Sequence, residues 1–242
     1  MGTKVVFFSG AGLSAESGVP TFRDKGGLWE QYDINKVCNY PTWKNHFHLV
    51  HEFYSKRRME LSLVEPNLAH YLIAKMQEKY GKDMISIVTQ NVDDLLERAG
   101  CTDVIHVHGE LTKLRCLNCN LVWDIGYVTY DGSPCPKCSS KKLVKPAVVF
   151  FSEPAPIYRN MYDIFKSLTE DDIVVIVGTS GNVVSVDQLL SGFQGFKILN
   201  NLEKSKDIIA SKFHSVFYES AITAMPKIVE IIEKRLETKG VE

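Results

Sequence analysis

Two pairs of cysteines limit what this chain can fold into more than any other feature. Cys116-Leu117-Asn118-Cys119 and Cys135-Pro136-Lys137-Cys138 are fifteen residues apart, 120–134, the spacing of a four-cysteine zinc ribbon. Each pair forms a knuckle that presents two thiolates, and four sulfurs close a tetrahedron around one Zn2+ with no position left for water. The ion is therefore expected to be structural. Four unconnected thiols are the alternative, and the doubled CxxC spacing disfavours them. Cys38 and Cys101 have no partner at ligand spacing and read as packing or surface residues. The polar segment that carries the ribbon, residues 115–142, lies in the middle of a 242-residue chain. It must interrupt a larger fold.

The flanking sequence supplies that fold. Val5 to Phe8 is a short apolar run that passes straight into Ser9-Gly10-Ala11-Gly12, the change from strand to loop with which a nucleotide-binding βα unit begins. Met84 to Val88, Val104 to Val107 and Ile173 to Val177 have the same buried-strand character, and Phe196 to Leu199 and Ser215 to Tyr218 are weaker examples. Helical patterns follow several of them. The prediction is an α/β fold, a Rossmann-like doubly wound parallel sheet covered on both faces, with a smaller inserted helical and zinc-ribbon domain. Between the first strand and Met84 no strand pattern occurs. His46 to Leu63 and Asn67 to Tyr80 read there as helices, with Pro66 in the first helical position of the second and Gly81 at its end. Ala221 to Leu236 reads as an amphipathic terminal helix. The expected main domain is 1–31, 82–114 and 143–242, and the smaller one is 32–81 and 115–142.

Lys and Arg number 28 against 29 Asp and Glu, a net charge of −1, so no overall field draws the chain to nucleic acid or acidic lipid. No apolar run approaches the roughly 20 residues that span a bilayer. The chain reaches Lys4-Val5-Val6-Phe7-Phe8 without the charged and apolar regions of a signal peptide. A cytoplasmic, reducing location is expected, in which cysteines are ligands or free thiols.

Gly10-Ala11-Gly12-Leu13-Ser14-Ala15 fits G-x-G-x-x-A after a strand, where absent side chains let backbone amides approach a pyrophosphate at a helix start. A tight strand-helix turn without a ligand leaves the same trace. A dehydrogenase also needs an acidic residue closing a second strand about 20 residues on. The chain offers instead Ser17 to Asp24, a loop with an aromatic and a cation, which favours a bent nucleotide over an extended hydride carrier. Thr89-Gln90-Asn91-Val92-Asp93-Asp94 leaves an apolar strand and brings amides and a carboxylate to the carboxyl edge of the sheet, where open α/β folds bind ligands. His106 and His108, two apart, share one strand face. His106 reads as structural, whereas His108, beside Gly109 at the strand end, reads as an exposed base near neutral pH.

Taken in order, these segments resemble the sirtuin family over nearly the whole chain: Gly10 through Arg23 as GAGLSAESGVPTFR, Thr89-Gln90-Asn91-Val92-Asp93, His108-Gly109, the four cysteines, Val148-Val149-Phe150-Phe151-Ser152-Glu153, Gly178-Thr179-Ser180 and Asn201-Leu202-Glu203. The resemblance implies NAD-dependent removal of acyl groups from lysines of proteins or peptides, yielding nicotinamide, free lysine and O-acyl-ADP-ribose. It implies that Gly10, Ala11, Gly12, Glu16, Val19, Pro20, Phe22 and Arg23 hold the NAD phosphates and cover the reacting ribose. Gln90, Asn91, Val92 and Asp93 then place the ribose and nicotinamide, and Gly178, Thr179, Ser180, Asn201, Leu202, Glu203 and Ala221 line the phosphate and adenosine end. In the implied mechanism the acyl carbonyl oxygen attacks the ribose carbon as nicotinamide leaves. His108, catalytic together with Gln90 and Asn91, then deprotonates a ribose hydroxyl that attacks the resulting imidate. Val149, Phe151, Ser152, Glu153 and Val183 are expected to bind substrate, with extended backbone at Phe151 to Glu153 and Gly181 to Val183 sandwiching the peptide as a strand.

Within the family, the class III branch carries a Tyr-x-x-Arg pair facing the acyl tunnel. Tyr54 and Arg57 match it and share one helix face. An arginine fork supported by a tyrosine hydroxyl can grip a terminal carboxylate, so succinyl- or malonyl-lysine is expected beside acetyl-lysine. Without the family, Lys56-Arg57-Arg58 would read as a solvated helix face. Four positions depart from the usual pattern: Lys145 for Arg, Ser152 for Gly, Ser185 for Pro, and Glu219, ahead of Ala221, where Gly is usual near the adenine. The rival functions are a mono-ADP-ribosyltransferase using the same NAD site and a non-enzymatic zinc-ribbon module. The latter lacks a basic surface with interleaved aromatics.

Overall fold

The computed structural model describes residues 2–20 and 32–239. Six strands, β1 (Val5–Ser9), β2 (Ile85–Thr89), β3 (Ile105–His106), β7 (Ile173–Val177), β8 (Phe196–Asn201) and β9 (Ser215–Tyr218), form one sheet in the order β3-β2-β1-β7-β8-β9. All neighbours pair in parallel. β1 and β7 are buried at every residue because successive side chains enter opposite cores. Val5 and Phe7 meet helices α3 (Leu68–Tyr80) and α7 (Ala221–Lys239), while Val6 and Phe8 meet α5 (Ile157–Lys166) and α6 (Val186–Leu189). The sheet is thus doubly wound. Its strand order reverses between β1 and β7, which makes their carboxyl ends the place where ligands of such folds bind.

A second, three-stranded antiparallel sheet, β5-β4-β6, joins β4 (Gly109–Cys116), β5 (Val122–Asp124) and β6 (Val144–Val148). Against it lie the short α1 (Ile34–Val37) and the longer α2 (Phe47–Leu61), around an apolar cluster of Trp43, Val50, Phe53, Leu111 and Phe150. The short α4 (Leu95–Arg98) follows the β2 loop.

Three local expectations are corrected. Pro66 is not the first helical residue of α3. Asn67 is the cap, its side chain accepting from the amides of Ala69 at 2.9 Å and His70 at 3.4 Å, and it gains these bonds only by staying outside the helix. The glycine loop does not open a helix at once. Two 3-10 turns, Ala11–Leu13 and Ala15–Ser17, follow β1, and Gly18 closes the second with φ 91°. Finally, the solvated-face alternative for the basic run on α2 holds only for Lys56, which is exposed. Arg58 is fully buried, donating to Ser55 Oγ at 2.9 Å and to the carbonyls of Val128 at 3.0 Å and Leu111 at 3.4 Å.

Candidate active site

The carboxyl ends of four parallel strands converge. Gly10 donates its amide to the Val177 carbonyl at 2.9 Å, and Gly12 donates to the Gly178 carbonyl at 2.9 Å. A Cβ on Gly12 would stand 2.6 Å from Gly178 Cα, and one on Gly178, whose φ is 62°, would stand 2.5 Å from the Leu13 nitrogen. Both glycines are therefore fixed by backbone packing of one loop on the other at the switch point. Thr179 is the hub of the next layer. Its hydroxyl accepts from Gln90 Nε2 at 2.8 Å, and its carbonyl accepts from Asn201 Nδ2 at 2.9 Å.

His108 lies in the turn between β3 and β4, just past the strand that ends at His106. Its Nδ1 is 3.0 Å from the Gln90 carbonyl, which can only accept, so Nδ1 carries the proton. Nε2 then holds the lone pair of the neutral ring, and the Tyr158 hydroxyl on α5 donates to it at 2.7 Å. Burial pushes the His108 pKa below its ordinary value, against the effect of the Gln90 bond, so the ring is a free base at neutral pH. Gly109 follows with φ 83°, and a Cβ there would meet the Ala147 carbonyl oxygen at 1.9 Å. His106 behaves as the sequence reading expected. Its ring nitrogens reach the Asn91 carbonyl at 2.8 Å and the Glu97 carboxylate at 2.7 Å, both pure acceptors. Burial opposes its charge, but these partners outweigh burial and raise its pKa.

A proton-ordered chain fixes the neighbouring amide and carboxylate. The Asn67 amide donates to His70 Nδ1 at 3.2 Å, so Nε2 bears the proton and faces Ser14 Oγ at 3.3 Å. Burial lowers the His70 pKa to about 4, which keeps the ring neutral. Asn91 Nδ2 also donates to Ser14 Oγ, at 3.1 Å. The Ser14 hydroxyl proton is then left for Asp93, whose pKa desolvation raises to about 6 although Ser14 and the Leu95 amide stabilise the carboxylate. Asn91 and Asp93 line a cleft with Ala11, Val19, Pro20 and Val92, and its wall continues into Tyr54, Arg57 and Glu60 of α2.

The remaining predicted residues divide into three groups. Phe22 and Arg23 lie outside the described residues. Glu16 accepts from the Ile222 amide at 3.2 Å at the start of α7, beside Ala221, and Ser180, Leu202 and Glu203 are exposed near the ends of β7 and β8. Phe151 is extended, in a bridge to Asn39, but residues 152–153 and 181–183 turn, which corrects the expectation of two extended segments. Ser152 has φ 64° and Gly181 φ 79°, and the Glu153 amide folds back on the Phe150 carbonyl at 3.0 Å. The backbone of Phe151 pairs instead with Cys38 and Tyr40, at 3.0 Å each, while Val149 donates to the His108 carbonyl at 2.8 Å. Glu153 accepts from buried Lys145 at 3.0 Å and from the Phe150 amide at 2.8 Å, and Val183 is exposed. Ser14, His70, Glu60 and Tyr158 are the site residues that the sequence reading did not single out. Ser14 stood inside the quoted glycine motif, Glu60 stood three residues past Arg57, and His70 and Tyr158 carried no local signal.

At the far end of the β4–β6 sheet the four cysteines converge, their sulfurs all within 4.8 Å of one another. Cys116 and Cys138 are 3.5 Å apart and Cys119 and Cys135 3.6 Å, close to the roughly 3.8 Å edge of a tetrahedron with Zn–S bonds of about 2.3 Å. Both knuckles repeat one turn, in which Asn120 and Ser139 adopt φ 58° and 57° and return their amides to Cys116 and Cys135. The donor set fits zinc and leaves no fifth position for chemistry.

The Sir2 family model matches residues 10–185. An NAD-dependent protein deacylase of Helicobacter hepaticus is 47% identical, over 96% of this chain and 98% of its own length. The Escherichia coli K12 protein of the same name is 37% identical, over 98% and 85%. Among solved structures, a Sir2 homologue bound to ADP-ribose superposes with a TM-score of 0.84 at 29% identity, covering 97% of this chain and 93% of that one. A Sir2 complex with a deacetylated p53 peptide and 3'-O-acetyl ADP ribose does so at 0.77 and 26%, over 94% and 92%.

Proposed function

The chain belongs to the Sir2 family and removes acyl groups from protein lysines in an NAD-dependent reaction, and from that premise we propose that His108 is its catalytic base, with Gln90 and Asn91 as catalytic partners and Tyr54 and Arg57 as readers of the acyl chain. The main domain (1–31, 82–114 and 143–242) binds NAD, and the smaller one (32–81 and 115–142) carries the acyl reader and the ribbon. NAD, when bound, supplies a ribose carbon from which nicotinamide can depart. The backbone of Gly10, Ala11, Gly12, Gly178, Thr179 and Ser180 takes its phosphates, while Glu16, Asn201, Leu202, Glu203 and Ala221 flank the adenosine. Val19, Pro20, Val92, Phe22 and Arg23 cover the ribose. Asn91 and Asp93 hold the nicotinamide amide. Asp93 titrates at about 6, so its carboxyl can face an amide as acceptor or as donor.

The observation that carries this reading is the tautomer of His108. Its Nδ1 proton is committed to the Gln90 carbonyl, which leaves a basic Nε2 able to accept a ribose hydroxyl proton once Tyr158 yields the position. The loop holding Val149, Phe151, Ser152 and Glu153, held in shape by the Lys145–Glu153 pair, docks the acylated peptide together with Val183. The four cysteines hold one structural Zn2+. The enzyme is cytoplasmic in this reading, where reducing conditions keep those thiols available. No helix among the described residues is long and apolar enough to cross a membrane. The relatives are named deacylases and give the ADP-ribosyltransferase alternative no support.

The Arg57 guanidinium, nearly enclosed in the cleft wall beside Tyr54, is placed to meet an acidic acyl chain. Succinyl- and malonyl-lysine are the substrates it would serve. The test is an NAD-dependent assay of matched acetyl and succinyl peptides with His108→Ala and Arg57→Met. His108→Ala is expected to lose roughly 100-fold or more in lysine unmasking while folded and zinc-loaded, and Arg57→Met is expected to lose succinyl activity selectively. Full activity of His108→Ala would overturn the role of the base, and equal loss of both activities in Arg57→Met would overturn that of the acyl reader.

A further inference from the structure

Arg57 already carries a carboxylate. Its Nη1 donates to Glu60 Oε2 at 2.7 Å, one turn further along α2, and both residues line the cleft that contains Asn91 and Asp93. The two are unequally enclosed: the Arg57 side chain is 11% exposed and that of Glu60 38%. The cation is therefore fixed in the wall, while the anion sits at the solvent side, where another rotamer would return it to water. Among the described residues no other hydrogen bond or ion pair holds either side chain, although the exposed Lys56 ammonium is near enough to feel the charge of Glu60. Arg58 is turned into the core, Lys56 donates to the Tyr32 hydroxyl at 3.2 Å, and the Tyr54 hydroxyl donates to Cys38 Sγ at 3.3 Å. Burial keeps the Tyr54 phenol protonated, so it supplies no counter-charge. Among the described residues Glu60 is the one carboxylate paired with Arg57.

We infer that Glu60 is a displaceable counter-ion for Arg57 that sets the charge preference of the acyl site. The inference rests on Tyr54 and Arg57 being the acyl readers. A neutral acyl chain leaves a buried guanidinium without a partner, which is costly, and Glu60 removes that cost. An acidic acyl chain brings its own carboxylate. A guanidinium has donors enough for two carboxylates, but in so enclosed a site the two anions repel each other, so an acyl carboxylate on the fork favours Glu60 turning out to solvent. The free energy of the broken Arg57–Glu60 pair is then subtracted from the binding of every acidic chain and from no neutral one. The site handles acetyl-lysine without penalty and accepts succinyl- or malonyl-lysine at a discount fixed by Glu60.

The experiment measures kcat/KM for acetyl and succinyl peptides of one sequence with the zinc-loaded enzyme, Glu60→Gln, Arg57→Met and the double variant. Glutamine keeps the shape and removes the charge. Glu60→Gln is expected to raise the succinyl-to-acetyl ratio roughly tenfold, through a lower KM for the succinyl peptide. In the Arg57→Met background the same change should leave the ratio where Arg57→Met alone sets it, a coupling that a merely structural role of Glu60 would not produce. An unchanged ratio in Glu60→Gln, alongside selective succinyl loss in Arg57→Met, overturns the counter-ion and leaves the acyl reader standing. Equal loss of both activities in Arg57→Met overturns the reader and the counter-ion together.

Discussion

Replacing Tyr158 with phenylalanine is expected to raise the apparent pKa of the acid limb in the pH–rate profile. The Tyr158 hydroxyl donates to His108 Nε2 at 2.7 Å. Only the neutral imidazole has a lone pair there, so the bond favours the neutral form and lowers the pKa of His108. Burial acts in the same direction and the Gln90 carbonyl against it. Burial and nearby Tyr162 raise the pKa of Tyr158 itself, so it remains a donor throughout the working range. Phenylalanine keeps the ring, whose centroid lies 5.7 Å from that of His108, and removes only the oxygen.

A neutral hydrogen bond contributes about 0.5–1.5 kcal/mol net. Its loss raises the pKa of His108, by a free energy equivalent to about a two- to tenfold change in the protonation equilibrium. The base must be neutral to work, so activity is lost as pH falls through that pKa, and a higher pKa brings the loss at higher pH. Tyr158 must release Nε2 before the base can act, so the variant should match the wild type at the acid end of the profile and exceed it at the alkaline plateau, where its neutral base no longer gives up that bond. The effect belongs in kcat/KM, which reports the free enzyme, the state in which the contact exists. Nicotinamide release measured across that range on an acetyl peptide gives the profile. An apparent pKa that stays in place or moves downward would refute the reasoning.

Gly109→Ala should destabilise the fold by about 2 kcal/mol or more, because φ 83° is unfavourable for alanine and its Cβ would meet the Ala147 carbonyl oxygen at 1.9 Å; urea unfolding that matches the wild type would contradict this. Asp93→Asn should be the more stable protein near neutral pH and catalytically poor. The folded pKa of Asp93, about 6, lies above the ordinary 3.8, so its ionisation destabilises the fold as pH rises through that window, by an upper bound of about 3 kcal/mol. Thermal midpoints of the two proteins should therefore coincide near about pH 3 and separate above about pH 6, and a parallel pair of curves would remove the assignment. Cys135→Ser should lose stoichiometric zinc in elemental analysis and unfold at lower temperature, since a serine hydroxyl replaces one of four thiolates. Full zinc retention would exclude the four-sulfur site.

Much of the scaffold was legible because burial on both faces removes polar residues from a strand. Val5-Val6-Phe7-Phe8 and Ile173-Val174-Val175-Ile176-Val177 could scarcely be anything else, and the cysteine knuckles declare themselves by spacing. His108 was legible for a related reason. The glycine after it is forced by the approach of β6, and that glycine marked the strand end. Tyr158 could not be found, because its contact with His108 joins residues 50 positions apart through α5 packing on the sheet. Ser14 and His70, 56 apart, meet only once α3 lies against the first loop. Glu60 was passed over because an i, i+3 pair with arginine on a helix ordinarily means a solvated face. Only the burial of Arg57 changes that meaning.

The departures from the family pattern show how scaffold changes are absorbed without touching the base. Ser152 holds φ 64°, a left-handed conformation that costs a non-glycine residue about 1–2 kcal/mol, which explains why glycine is usual there. The loop keeps its shape because Glu153, the next residue, is anchored by the Lys145 ammonium and the Phe150 amide. Lys145 in turn donates to the Val148 carbonyl at 2.7 Å and lies 4.0 Å from the centre of the Phe150 ring. A lysine meets these partners as a compact charge, where an arginine fork would need more room. Ser185 replaces proline at the start of α6 and accepts from the Gln188 amide at 3.3 Å, so one capping device stands in for another. Glu219 is held by Lys227 at 2.8 Å, which turns its charge along α7. Lys145, Ser185 and Glu219 each find a partner within eight residues of sequence, and none of these contacts involves His108, Gln90 or Asn91, so the departures leave the proposed catalytic group undisturbed.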